Sequence, residues 1–548
     1  MMKKLLLYIM MCATLTAQAT RPVRTLRTRL ADGSLATLSY SPLRADDKHE
    51  GCPSHMGQQA LNTRALHARN TDGLGTFGES GMGVLNSIGS PKIPVIMVEF
   101  SDVAFQASTT PALVDSIFNR KGYKQNKLSR GSVRDYFVAQ SYGMFQPSFD
   151  IVGKVKTAQP RAYYGKNEGS SKNVNIVQLY REAIEKAAAQ GTDFSQYASQ
   201  GSVPLVVLYH AGPGEHDAFE TGREDYVWAH FSDTYLRNKG VDFKGYFVGC
   251  ELMQTYRSKI EIVDGKEVKK PVLDSHGNPI VQDAQLEGIG VLCHELCHAL
   301  GLPDFYSTEE AQETPDYHDL MDYGQYGNDG YRPVGLSAYE RNCLGWLKLE
   351  ELGETPQRGR IAALGESDTK GRAQGYLVRN KNNPKEYFVL ENRQPNDWFF
   401  TSLGRGMLVH HIDYNQSAWF SNRVNTNAQR LRYTVVAADG KWQGNKTATA
   451  ADYAGDFFPG TQHVVNFTPD GTPAMRWYNP ADERPIYQIA QEADGTVSFS
   501  YLDKTLHLTL PVHKFSSQKL TTLDGRHIAP EQAAPGIYLQ GGRKVVFR

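Results

Sequence analysis

His294, Glu295 and His298 stand in the order H-E-x-x-H, and Gly301 and Asp304 extend it to H-E-x-x-H-x-x-G-x-x-D. Residues four apart on an α-helix share a face, one turn above the other. Both imidazoles can therefore address one metal ion, with Glu295 on the adjoining edge. A glycine can take the left-handed conformation that ends a helix, and a reversal at Gly301 would return Asp304 to the same ion as a third ligand. Two histidines and a carboxylate leave one coordination position for water, which marks a catalytic zinc and not a closed structural one. Zinc lowers the pKa of its bound water to about 7 and polarises a carbonyl. Glu295 would take the water's proton and pass it to the leaving amine. The expected reaction is hydrolysis of peptide bonds in protein or peptide substrates. Bare H-E-x-x-H arises by chance, and a histidine on a helix is more often a core or surface residue than a ligand. The added glycine and aspartate, and the apolar run Ile289-Gly290-Val291-Leu292 ahead of the motif, favour the metal.

Downstream lies Tyr317-His318-Asp319-Leu320-Met321-Asp322-Tyr323-Gly324. Zinc peptidases with the extended histidine motif carry a methionine on a tight turn beneath the metal, and Met321 fits that role. Tyr323 is a candidate donor to the oxyanion of the tetrahedral intermediate; the alternative is a packing aromatic in a Tyr/Gly-rich loop.

With both segments, the chain resembles the immune-inhibitor-A-type secreted metallopeptidases, a metzincin-like family of zinc endopeptidases. The resemblance extends to Lys92–Asp102, Gly131–Phe137 with Ser141-Tyr142-Gly143, Val207–Glu215, Tyr226–His230, Glu386–Arg393 and Gly406–Asp413. It implies an α+β, metzincin-like two-lobed zinc peptidase domain followed by an all-β, sandwich-like domain. Two departures stand out. Many relatives carry a calcium-loop-like stretch where this chain reads Asp193–Gly201, which has too few carboxylates to cage a hard cation. A Ca2+ cofactor is thus unsupported by a clear site. Relatives also often have small residues where Asp322-Tyr323 stand.

The elements that must position these groups are legible in outline. A catalytic unit is expected over 90–352, with strands at Ile93–Phe100 and Val203–Tyr209, a capping box at Ser132–Asp135, a helix over Asn173–Gln190 closed by Gly191, and a helix over Ser337–Leu347. Residues 353–505 alternate and are turn-rich, which predicts the β-sandwich. Adjacent strand residues point to opposite faces, so His410 and His411 cannot readily share an ion and are read as structural; Asp452 and Asp456 are candidates for a cation-binding loop. Cys293 and Cys297 sit at i, i+4 and cannot comfortably bridge each other. Bonds to Cys250 or Cys343, or buried thiols, remain alternatives.

The N-terminus reads as an export signal over 1–19: Lys3-Lys4, an apolar run from Leu5 to Leu15, then Ala17-Gln18-Ala19. No later segment reaches the roughly 20 apolar residues of a membrane span. Residues 20–89 look like a pro-segment, with Cys52 or an aspartate such as Asp46 or Asp47 as the ligand that blocks the zinc. Residues 506–548 resemble the C-terminal sorting tails of the Bacteroidetes type IX secretion route, which makes that machinery a candidate partner. Of 548 residues, 59 are Lys or Arg and 59 Asp or Glu, so no basic stripe argues for nucleic acid. A secreted or surface-exported zymogen protease is the first reading. The second is a non-catalytic surface binding or adhesion protein on the same scaffold, against which the intact Glu295 argues.

Overall fold

The computed structural model describes residues 83–506 apart from 170, 221, 264–265, 276, 308–313, 368, 442–447 and 482, together with 24–29, 35–40, 72–75, 520–522, 526–528, 536–540 and 543–547. The export signal and Cys52, Asp46 and Asp47 lie outside the described residues.

The fold is mixed α/β, with several sheets and few helices. The first large sheet contains β1 (Lys92–Glu99), β2 (Ser148–Lys156), β3 (Val206–Pro213), β4 (His230–Ser232), β5 (Tyr246–Tyr256) and β6 (Val281–Leu286). Its order is β6-β5-β3-β1-β2, with β4 also pairing β5. The inner pairs are parallel, whereas β4 and β6 run antiparallel to β5. Parallel strands are covered on both faces, and β1 shows the consequence. Ile93, Val95 and Met97 enter one core, while Ile96 and Val98 enter another on the opposite face. β3 begins later than its sequence pattern suggests, at Val206, because Pro204 has no N–H to donate to a ladder.

Four helices matter for the site: α1 (Val133–Gln140), α2 (Ile176–Ala189), α3 (Gly290–Leu300) and α4 (Ala338–Cys343). α1 starts with the capping box of Ser132 and Asp135. α2 buries Leu179, Tyr180, Ala183, Ile184 and Ala187 on one sheet face; α3 lies on the other. Its close approach depends on Gly249 of β5, where a Cβ would lie 2.5 Å from Leu292 Cδ2. α4 has a second capping box, Ser337 with Glu340. It is shorter than its sequence suggests, because Gly345 turns left-handed at φ +75 just beyond Leu344.

Beyond α4 come β7 (Glu350–Leu352), β8 (Gln357–Ile361), β9 (Gly375–Arg379), β10 (Glu386–Arg393), β11 (Gly406–Asp413), β12 (Tyr433–Val435), β13 (Ile486–Gln491) and β14 (Val497–Tyr501). They form two sheets, β7-β9-β10-β11-β12 and β8-β14-β13. One hydrophobic cluster joins both sheets, through Ile361, Phe388, Leu390, Val409, Ile486 and Phe499. β10 is buried along its whole length because it faces two ways. Phe388 and Leu390 enter that cluster, whereas Tyr387 and Val389 enter the core that also holds α3 and Met321. Residues on both sides of position 352 thus share one core.

Short described stretches near the ends are also structured. Leu85 is buried, and its N–H donates to the Ala299 carbonyl at the end of α3 (3.1 Å). Asp72 pairs with Arg379 at 3.0 Å. Near the C-terminus, Leu520–Thr521, His527–Ile528, Gly536–Gln540 and Arg543–Phe547 form a small antiparallel sheet. No helix among the described residues is long and apolar enough to cross a membrane.

Candidate metal centre

α3 carries His294, Glu295 and His298, all buried, and ends at Gly301 with φ +107 and ψ 6. The N–H of Gly301 and that of Leu302 both reach the Cys297 carbonyl, at 3.0 Å, closing the helix. The reversed chain then runs alongside the Met321 segment, with Phe305 N–H donating to the Met321 carbonyl at 2.8 Å. Asp304 is thereby carried back under the helix. Its Oδ1 lies 3.1 Å from His294 Nε2 and 3.2 Å from His298 Nε2, and the two imidazole nitrogens are 3.1 Å apart.

The tautomers follow from the partners on the far side of each ring. His294 Nδ1–H donates to the Leu320 carbonyl at 2.9 Å, and His298 Nδ1–H to the Leu302 carbonyl at 2.7 Å. A carbonyl can only accept, so each Nε2 is left with its lone pair aimed at the centre. Three acceptor atoms on a triangle of this size repel one another unless a cation sits among them. Ligands 2.0–2.1 Å from a tetrahedral zinc lie about 3.3 Å apart, close to the observed spacing, so the donor set fits such an ion. In the neutral rings those lone pairs face a place whose surroundings favour positive charge. Burial disfavours a charged His294, but Asp304 and Glu295 outweigh it and hold its pKa at about 9. Burial likewise disfavours a charged Asp304, yet His298 and His294 keep its carboxyl far below the ordinary range.

Asp304 is oriented by residues that the motif does not contain. Its Oδ2 accepts from Asn422 Nδ2 (2.5 Å) and Tyr306 Oη (3.0 Å), and its own N–H donates to Asn422 Oδ1 (2.6 Å). Asn422 is 118 residues away in sequence. No local pattern could have announced it; an asparagine at a left-handed position (φ +55) shows only once the chain is folded.

The Met321 segment is a tight turn. Gly324 N–H returns to the Asp319 carbonyl (2.8 Å), and Met321 N–H donates to Asp319 Oδ1 (2.8 Å). Met321 is fully buried, and the neighbouring Leu320 carbonyl holds His294. Tyr323 opens a short 3-10 turn and stays partly exposed, with its ring 6.0 Å from that of Tyr317. Cys250, Cys293, Cys297 and Cys343 are all buried free thiols.

Other sequence candidates are employed elsewhere. His410 pairs with Glu391 and His411 with Glu386, both at 3.1 Å, from opposite sides of β11. Asp193 accepts from Ser195 N–H and Oγ as a helix cap. The cation loop expected at Asp452 and Asp456 is corrected by the contacts these residues make. Asp452 accepts from Thr449 N–H and Oγ1 in a capping box, while Asp456 meets His318 Nε2 at 2.9 Å. Burial pushes the Asp456 carboxyl well above its usual range.

Residues 89–351 match the immune inhibitor A peptidase M6 catalytic domain. The chain is also 24% identical over 292 residues to the pre-pro-metalloprotease PrtV of Vibrio cholerae serotype O1, in two strains. That alignment covers 47% of this chain and 29% of the relative, so the chain spans under a third of the protein it matches. Both likenesses are to metallopeptidases, the first to the immune-inhibitor-A type. Such an enzyme holds a metal, usually zinc, and would act on protein substrates.

Proposed function

We propose that this chain is an exported zinc endopeptidase made as a latent precursor. The convergence of His294 Nε2, His298 Nε2 and Asp304 Oδ1, with both Nδ1 atoms anchored on carbonyls, carries the reading. When bound, zinc would supply Lewis acidity and a water of lowered pKa. The chain's own groups do the rest. Glu295, beside the ligands on α3, takes a proton from the attacking water and returns it to the leaving amine. Tyr323 Oη donates to the oxyanion. Residues 90–352 form the two-lobed metzincin-like domain and 353–505 the β-sandwich. Residues 1–19 direct export, 20–89 maintain latency through Cys52 or an aspartate, and 506–548 serve as a sorting tail. A calcium requirement is not part of the proposal.

The test measures cleavage of a generic protein substrate by the processed protein and by Glu295→Gln, with and without a chelator. Glu295→Gln should lower kcat by about 10²–10⁴-fold with metal content unchanged, and chelation should abolish activity until zinc is returned. Equal activity in every sample sinks the proposal. So does inactivity of verified, zinc-loaded, processed protein, which would instead fit a binding protein on this scaffold.

A further inference from the structure

A second cluster of metal-ligand atoms lies at the other end of α3. His216, on the turn after β3, Cys250 of β5 and Glu287, just before α3, are all buried, and their ligand atoms lie within 4.8 Å of one another. His216 Nε2 is 2.9 Å from Glu287 Oε1, Cys250 Sγ is 3.0 Å from Glu287 Oε2, and Sγ and Nε2 are 3.9 Å apart. Asp217 Oδ2 stands 3.9 Å from the same imidazole nitrogen.

We propose that His216, Cys250 and Glu287 form a second transition-metal site, suited to zinc, that locks the entrance of α3 to β3 and β5.

Several observations carry the assignment. The donors are an imidazole nitrogen, a sulfur and a carboxylate oxygen, the set that zinc accepts. The sulfur–nitrogen gap is too long for a bond between them. It is close to the about 3.5–3.7 Å expected for a thiolate and an imidazole on one zinc. A small cavity of about 30 Å³, lined by Glu287 and Asp217 among others, adjoins the cluster. It has room for one water beside Glu287. The backbone is shaped to admit the ring: a Cβ on Gly214 would lie 2.5 Å from His216 Cε1. Charge also balances. Binding releases to solvent the thiol proton of Cys250 and the proton shared by His216 and Glu287. Thiolate and carboxylate then neutralise the dication, and the imidazole stays uncharged. Glu287 stands before the first turn of α3 and His294 in its second turn, and the two clusters share no residue, so this site is separate from the His294–His298–Asp304 centre.

The rival arrangement is a hydrogen-bonded triad, with thiol and imidazole both donating to Glu287. Cobalt separates the two, because only a cysteine ligand yields a thiolate-to-cobalt charge-transfer band in the near ultraviolet. Cys52, a candidate latency ligand of the His294 centre, would supply a band of its own, so Cys52→Ser serves as the parent. Full-length protein is stripped, reloaded with Co2+, and its metal counted by mass spectrometry. The parent should hold two equivalents and show the band. Adding Cys250→Ser should lose the band and one equivalent, whereas adding His298→Ala should lose one equivalent and keep the band. Loaded parent or wild type without the band overturns the proposal whatever the metal count, so that outcome does not depend on the Cys250 and His298 variants folding. A band with a single equivalent in the parent would uphold this site and count against the His294 centre instead.

Discussion

Asp304 shows how much a ligand depends on its neighbours. A carboxylate free to rotate could present either oxygen or leave the centre. Here Asn422 and Tyr306 occupy Oδ2, so Oδ1 alone faces the histidines. Removing such an outer partner typically costs 10–100-fold in metal affinity. Asn422→Gly keeps the left-handed backbone but deletes the amide, and should weaken zinc binding by about that factor in a chelator competition. Wild-type affinity in that variant would show that Tyr306 suffices.

Among the elements, the reversal at Gly301 and the start of α4 have the clearest consequences. At φ +107 and ψ 6 a side chain is strained whatever space surrounds it. Gly301→Ala should cost about 1–3 kcal/mol of folding stability in chemical denaturation. Because the turn aims Asp304, metal content should fall as well, even where the variant is fully folded. At α4, Ser337 Oγ caps Glu340 N–H and also meets Tyr433 Oη at 3.0 Å. Ser337→Ala should lose about 1–2 kcal/mol with metal binding unchanged. If metal binding fell in parallel, α4 would be coupled to the centre more tightly than these contacts imply.

Across the whole molecule, the Met321 turn is fastened to strands far along the chain. Arg393 Nη1 donates to the His318 carbonyl, Tyr433 Oη donates to Asp319 Oδ2 (3.1 Å), and Asp456 holds the His318 ring. The family match ends at residue 351, yet these groups and Asn422 all lie beyond it. A fragment ending at residue 352 should therefore unfold without cooperativity and bind zinc poorly, as followed by circular dichroism and metal analysis. Glu391 adds a pH dependence. Burial alone would raise its pKa, but Arg393 and His410 outweigh burial and hold it well below the usual range. A depressed folded pKa contributes stability that is complete above the unfolded value, about 4.3, and is lost as pH falls toward the folded one. Stability of the wild type should decline with acid below about pH 4.3, and Glu391→Gln should show a shallower decline. Identical slopes would mean that Glu391 is not the group being titrated.

Local physics made part of this legible from sequence. Helical spacing puts His294 and His298 on one face, glycine permits the turn at residue 301, and hydroxyl–carboxylate spacing foretells the cap at Ser132. These depend on residues within a few positions of one another, so the sequence alone determines them. The run Tyr387-Phe388-Val389-Leu390 marks β10 as a strand too, but it does not say which layers will cover its two faces. Asn422 against Asp304, Arg393 and Tyr433 against the Met321 turn, and the meeting of His216, Cys250 and Glu287 join segments tens to more than a hundred residues apart. Only the tertiary structure decides such contacts, since their geometry comes from packing the sheets and α3 into a shared core and from no period along the chain.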